Sequence, residues 1–515
     1  MTPTLHRFGF LLAIGAVAVA AAQTYLLLET EGMVHWLDDP VITLRVSRVM
    51  AEHGVPYFNP SEAVAANTSL FWPVLLAPLH WVFPAPETAL YAAFLGSGAL
   101  WIALSSWVAA EHESLGARVA TLAFLALGPW ALLYGGSAWE HIPQSVAVTL
   151  GLVLYLRGPE DRATAVRAFW PIALSFLFRP DSAGLIGGFW LLALARLSAE
   201  ERRGFVLATL PALAIPFAYL AVMWAAYGDI VPNTYHLKVD DPQLGLARGI
   251  EHLFNPRGSG PVPLMLMLLL LCWRGLGARG QAVLGLAILH TGYVAAVGGD
   301  IFPFGRFFLV LLPVLALLLI GQIARRATAL PALVLAAIAI AWPHLHSQFR
   351  TAKVAFAADL ESQMQISRML AEIVPPEAGS IGLHTLGVGY HLPEHHIVDF
   401  LGKADPVIAR QPVKGGPIGH NKWDYRHSLG AYDVVAAPVL AAGHAKFLAG
   451  EAETRPNASD WTLMAEAFTA ADRYAYIPPE RFCFSSVYGL YLDRALLPAL
   501  AALETPGPDG TPCLR

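Results

Sequence analysis

The chain has 515 residues, 56% of them hydrophobic and 14% charged, with a formal net charge of −5. Soluble domains average about 45–50% apolar and about 25% charged residues, so this is not the composition of a water-soluble protein throughout. An acidic balance with no basic stripe also argues against nucleic acid as a partner.

The apolar surplus is uneven. Of six lysines, only Lys238 precedes residue 345, and the other five lie at or after Lys353. Residues 1–345 therefore read as a lipid-embedded body. Residues 346–515 read as a separate water-soluble domain, long enough to bury its own core. Met1 to Arg7 and the apolar run behind them fit a signal peptide ending at Ala20-Ala21-Ala22. The run continues from Phe8 to Leu28, however, and a helix needs about 20 apolar residues to cross a bilayer. An uncleaved anchor is favoured.

Further apolar segments follow near 70–83, 87–109, 119–134, 141–156, 167–178, 183–197, 205–226, 261–273, 282–297, 307–323 and 328–345. Unpaired backbone is not tolerated in lipid, so each should be helical. Arg7, Arg118, Arg157/Arg162/Arg167, Arg196/Arg202/Arg203, Arg274/Arg279 and Arg325/Arg326 fall at every second boundary, which makes those boundaries cytoplasmic. Residues 29–69, 227–260 and the tail then share the opposite, periplasmic face. Twelve crossings would place the tail in the cytoplasm. Segment 70–83 holds Pro73 and Pro78 and is short, so it is read as re-entrant or interfacial, leaving about eleven crossings.

The tail reads as α/β. A helix is predicted over 360–373, stopped by Pro375-Pro376, and β-rich runs follow at Ser380–His384, His396–Phe400 and Tyr432–Ala436. Cys483 and Cys513 form a disulfide or remain two unrelated thiols; Cys272 lies in an apolar run. His391, His395, His396, His420 and His427 match no zinc spacing. The sequence holds no Rossmann or Walker fingerprint, hence no sign of a nucleotide-bound donor.

Charge at mid-membrane costs at least about 2.5 kcal/mol, so charged clusters near helix ends call for an explanation. The predicted periplasmic face collects His35-Trp36-Leu37-Asp38-Asp39, Glu140-His141, Arg179-Pro180-Asp181, Asn233 to Lys238, and Asp300 to Arg306. Together they can wall one cavity. Asp38 or Asp39 suits a general base acting on a hydroxyl. The bland alternative is a helix N-cap, with Pro40 opening a helix over Val41–Met50. In an extended loop the two carboxylates would point to opposite sides. Arg306 can clamp a phosphate bidentately, or simply pair with Asp300. Arg179 and Lys238 have the same two readings. His236 is a further phosphate candidate, although a lone loop histidine is more often structural. Glu140 is a candidate for a sugar hydroxyl, or a helix-end acid.

These clusters sit in a recognisable order. Leu37-Asp38-Asp39-Pro40-Val41-Ile42-Thr43-Leu44-Arg45, Gly54 with Phe58-Asn59-Pro60, and Asn67-Thr68-Ser69-Leu70-Phe71-Trp72 resemble the first loop of GT-C membrane glycosyltransferases. The nearest likeness is to the mycobacterial terminal arabinofuranosyltransferases and pilin arabinosyltransferases. Arg179-Pro180-Asp181, Tyr227 to Lys238, Gly298-Gly299-Asp300 to Arg306, Val398 to Pro406 and Gly419-His420-Asn421-Lys422 continue it. The chain departs from the family pattern at Pro40, at Gly136-Ser137-Ala138-Trp139-Glu140-His141, and at Lys403-Ala404.

The resemblance implies a GT-C helical membrane domain over 1–345, with its catalytic loop at 29–69, in the bacterial inner membrane. It implies a periplasmic α/β domain over 346–515. The donor would be a polyprenyl-phosphate sugar, with arabinofuranose the implied sugar, and the acceptor a periplasmic glycan or glycoprotein. The base would be Asp38 or Asp39. Arg306, Lys238, Arg179 and His236 would face phosphate, and Arg45, Glu140, Asn233, Asp300 and His420 would face substrate. No cofactor is implied, and a divalent cation is left open. The competing readings are a flippase of lipid-linked sugar and a glycan-binding assembly protein.

Overall fold

The structure is a computed structural model that describes residues 11–12, 14–15, 38–128, 130–238, 242–300, 302, 304–326, 361–415, 418–451, 460–484, 486–507 and 511–514. The expected segment 328–345 and most of 8–28 lie outside the described residues, and so does the count of crossings that includes them.

The first half is helical: α1 Asp38–His53, α2 Phe71–Val82, α3 Pro86–Ala110, α4 Leu115–Leu127, α5 His141–Arg157, α6 Arg162–Leu174, α7 Ala183–Arg196, α8 Ala199–Tyr227, α9 Asn233–Lys238, α10 Pro242–Phe254, α11 Val262–Leu271, α12 Gly277–Ala296 and α13 Leu312–Arg326. Side chains start several of them. Ser114 accepts from the Ala117 amide, Asp161 from that of Thr164, and Ser198 with Glu201 forms a capping box at α8. Among the described helices, α3 and α8 are long and apolar enough to cross a membrane. Helix α8 turns Leu207, Leu210, Phe217, Val222 and Trp224 outward. An apolar surface of that extent is made for lipid, not water. Helix α2 is about 18 Å long, against a hydrocarbon core of about 30 Å, so it does not cross by itself.

The aspartate pair does not lie in extended chain. It opens the sixteen-residue helix α1, with Pro40 in the first turn where no amide donor is needed. The carboxylates diverge by the helical step of about 100°, not by the 180° of a strand. The 227–260 loop likewise contains α9 and α10.

The tail folds as a helix over 361–373 followed by strands β1 Ser380–Leu383, β2 Ile397–Asp399, β3 Val434–Leu440, β4 Tyr474–Ile477 and β5 Tyr488–Asp493. They form one sheet in the order β2-β1-β3-β5-β4. The β2, β1 and β3 ladders are parallel, and β5 and β4 are antiparallel. Cys483 and Cys513 are disulfide-bonded.

Among the described residues the two large apolar cores do not divide at residue 345. One packs α3 to α8 with α11 to α13. The other contains the sheet and also Val41, Ile42 and Leu44 of α1, Phe58, Trp72 and Leu76. Helix α1 is thus built into the tail's core. Arg45 is the fastener. It is 1% exposed and donates to the carbonyls of Phe58, Gly389, Leu392 and His395 and to Asn59 Oδ1, while its guanidinium lies over the Phe58 ring. Asn59 brackets Ile397, donating to its carbonyl at 2.9 Å and accepting from its amide at 3.1 Å. A buried carbonyl that loses its donor costs roughly 1–3 kcal/mol. Arg45→Met is therefore expected to loosen residues 386–397, seen as at least about tenfold faster amide exchange there. Arg45→Lys should rescue little, because one ammonium cannot reach four carbonyls.

Candidate active site

A cleft of about 500 Å³, counted out to its open mouth, lies where the helical body meets the tail. Asp39, Thr43, Asn67, Glu140, Arg179, Thr234, Lys238, Arg306 and Lys403 line it. Helix ends supply most of these, which is how charged groups stay near the surface of a lipid-facing body.

Asp38 and Asp39 have different surroundings. Asp38 is buried; it accepts from the Gly387 amide at 2.6 Å and from the Lys403 ammonium. Gly387 has to be glycine, since a Cβ there would stand 2.6 Å from the Asp38 carbonyl oxygen. Asp39 faces the cleft with its side chain 28% exposed. Its carboxylate takes an Arg306 N–H at 2.9 Å and the Lys403 ammonium at 3.4 Å. Burial alone would raise the Asp39 carboxyl, but Lys403, Arg306 and Lys238 together hold it well below the usual carboxylate range. Burial lowers the Lys238 ammonium from its ordinary value, with Asp39 opposing the shift.

Arg306 is 2% exposed and rigidly held. It donates to both oxygens of Asp300 at 2.6 and 2.7 Å, and its guanidinium lies 4.5 Å from the Trp139 ring centre and 4.3 Å from that of Phe302. Phe304 and Gly305 deliver it through a left-handed turn, φ 61° and 70°. A Cβ at Gly305 would stand 2.5 Å from the Ser259 carbonyl oxygen. Arg179 is bound on both sides, to Glu140 at 2.7 Å and to Asp181 at 2.7 Å. Among the described residues, no carboxylate lies within ion-pair distance of Lys238.

Lys403 is the residue that sequence reasoning passed over. It was visible only as a departure from a family pattern. It sits past the carboxyl end of β2, and its turn is pinned twice. Asp399 accepts from the amides of Leu401 and Ala404 at 2.9 and 2.6 Å. Asn233 donates to the carbonyls of Gly402, Lys403 and Asp405 at 2.7 to 3.2 Å. Burial lifts the Asp399 carboxyl to about 6. Asp38 and Asp39 more than offset burial at Lys403 and raise its ammonium above its ordinary value.

The remaining candidates stand around the cleft rather than in its lining. Asp300 is behind Arg306. Arg45 and Asn233 spend their donors on backbone carbonyls. His236 pairs with Asp229 at 2.8 Å away from the lining. His420 is close to Lys403 and Lys238, and burial followed by Lys403 pushes its imidazole down to about 3. Among the described residues, no group of three or more His, Cys, Asp or Glu side chains comes together to hold a metal.

The described residues define a class: a helical body with a lipid-type surface, joined to an α/β layer, with an acid–cation cleft at the seam. No family model matches the chain. It is 30% identical over 337 residues to the terminal β-(1→2)-arabinofuranosyltransferase of Corynebacterium glutamicum, covering 55% of this chain and 47% of that protein. It is also 30% identical over 219 residues to the terminal β-(1→2)-arabinofuranosyltransferase of Mycobacterium tuberculosis, covering 39% and 34%. The chain thus spans less than half the length of the curated relatives it matches. Among solved structures, ArnT from Cupriavidus metallidurans in the apo state aligns at a TM-score of 0.49 and 14% identity, over 76% of this chain and 86% of that one. The likeness carried by the motif blocks and the likeness to the two curated relatives point to the same kind of protein.

Proposed function

We propose that the chain is an integral membrane glycosyltransferase that moves a sugar, arabinofuranose, from a polyprenyl-phosphate donor to a hydroxyl of a glycan or glycoprotein. The observation that carries this is the cleft: one solvent-facing carboxylate, Asp39, stands among Arg306, Lys403 and Lys238 at the edge of a lipid-facing body. The lipid tail lies along the helices, and the phosphate meets Arg306 and Lys238. The acceptor oxygen attacks the anomeric carbon while its proton passes to Asp39. The bond from that carbon to the phosphate oxygen breaks, and the lipid phosphate leaves with the electron pair. Electrostatic clamping of the phosphate supplies most of the rate, because a lipid phosphate is already a fair leaving group. The names of the curated relatives support arabinofuranose.

In this reading the part of the chain up to residue 345 holds the membrane and most of the site, and residues 346–515 close it. The alternation of arginines and the Cys483–Cys513 bond support an oxidising, periplasmic side for the tail and the cleft, with the body in the bacterial inner membrane. The test is purified protein in lipid nanodiscs with synthetic polyprenyl-phosphate arabinofuranose and an oligosaccharide acceptor. Release of polyprenyl phosphate matched by glycosylated acceptor is expected. Movement of intact donor between leaflets of proteoliposomes, with no sugar transferred, would replace this reading with a flippase.

A further inference from the structure

The cleft surrounds one open carboxylate with cations of unequal freedom. Arg306 is locked by Asp300 and by the rings of Trp139 and Phe302. Arg179 is locked by Glu140 and Asp181. Lys403 has a fixed backbone, pinned from Asp399 on one side and Asn233 on the other, but its ammonium ends a flexible stem on which no ring of the described residues is stacked. It lines the same cleft as Lys238 and Arg306. Its contacts with the aspartates are unequal too: it touches Asp38 closely and reaches Asp39 only at 3.4 Å. Asp38 keeps the Gly387 amide, and Asp39 keeps Arg306, if the ammonium moves.

We propose that Lys403 is a ligand of the donor phosphate: its ammonium, shared between Asp38 and Asp39 in the geometry described, swings to the phosphate as the lipid enters and leaves Asp39 turned to the acceptor hydroxyl. This rests on the transferase reading for the identity of the phosphate carrier. Among the described residues Arg179, Arg306 and Lys403 are already paired with carboxylates, so an anion that takes a second cation beside Lys238 has to draw it from one of those pairs. The charged and titratable groups around Asp39 are Lys403, Arg306, Lys238, Asp38, Asp300, Glu140, Arg179 and His420, and of the cations paired with carboxylates Lys403 alone is a lysine, with a flexible stem and a long contact to Asp39. Lysine meets phosphate as a point charge and needs no fixed fork geometry to do so. The tail then supplies a working group to the reaction as well as a lid on the helical body.

The consequence is a competition that a merely structural ion pair lacks. Polyprenyl phosphate is titrated into full-length protein in nanodiscs, followed by the fluorescence of Trp139 beneath Arg306 relative to a Trp139→Phe control. Asp38→Asn keeps the Gly387 hydrogen bond but gives up its claim on Lys403, so binding should tighten about five- to tenfold. Lys403→Met should weaken binding about tenfold, and Lys403→Arg should restore most of it. The double variant Asp38→Asn/Lys403→Met leaves no unpaired buried charge and so guards against misfolding. In that background the benefit of Asp38→Asn should vanish. Tightening by Asp38→Asn that persists without Lys403, or no tightening at all, overturns the proposal. If the cycle holds while wild-type protein transfers no sugar, the phosphate contact stands and the transferase reading fails on its own.

Discussion

Asp39→Asn is expected to lower sugar transfer about a thousandfold while leaving the folded protein intact. General-base catalysis contributes roughly 10²–10⁴ in rate, and Asn keeps the shape but not the proton affinity. Asp38→Asn, whose carboxylate faces Lys403 and Gly387 and not the open cleft, is expected to cost less than about tenfold. The pH dependence follows from the sign of the shift. The Asp39 carboxyl is held below its ordinary value, so its ion-pair contribution to stability is present above the unfolded carboxylate pKa of about 4 and is lost only as pH falls through the lower folded value. The acid limb of kcat/KM should accordingly lie below about pH 4. Equal loss in both variants, or an acid limb near pH 6, would remove Asp39 as the base.

Arg306→Ala should have the second-largest effect, and in two currencies. It removes a clamp on the leaving phosphate, for which a loss of about 10²–10³ in kcat is expected. It also leaves Asp300, with a side chain only 2% exposed, buried without its partner. Breaking a buried pair from one side costs roughly 3–5 kcal/mol. Asp300→Asn/Arg306→Met separates the two effects: it should recover most of the thermal stability and none of the transfer. Retention of donor KM within twofold in Arg306→Ala would take the guanidinium out of the phosphate site.

Much of this was legible in the sequence, for physical reasons that differ between elements. Helices in lipid and parallel strands are continuous apolar runs, so the segments near 87–109 and 205–226 and the strands at 380–384 and 396–400 could be read directly. The alternation of arginines at the helix boundaries assigned Asp39, Glu140, Arg179, Lys238 and Arg306 to one face. Other roles were beyond reach. Arg45 and Asn233 read as substrate-facing because they lie in the blocks that carry the family resemblance, and their partners are chiefly backbone carbonyls, which leave no mark on sequence. Lys403 stands 365 positions from Asp38, and no local period or spacing connects them. Helix α1 was half-legible, since a cap and a base are the same residue type in the same place.

The seam between the helical body and the tail also sets a clock. Translation at about 5–20 residues per second separates the emergence of Asp38 from that of Lys403 by roughly 20–70 s. Late in that interval a nascent chain already threaded into the bilayer carries the aspartates and Arg306 but neither the Lys403 ammonium nor the Gly387 amide, and helix α1 has no core to join. On the proposed reading, the cleft stays incomplete towards a lipid phosphate until Gly387 and Lys403 have emerged. On the same reading, a chain cut short before Gly387 inserts with only part of its site.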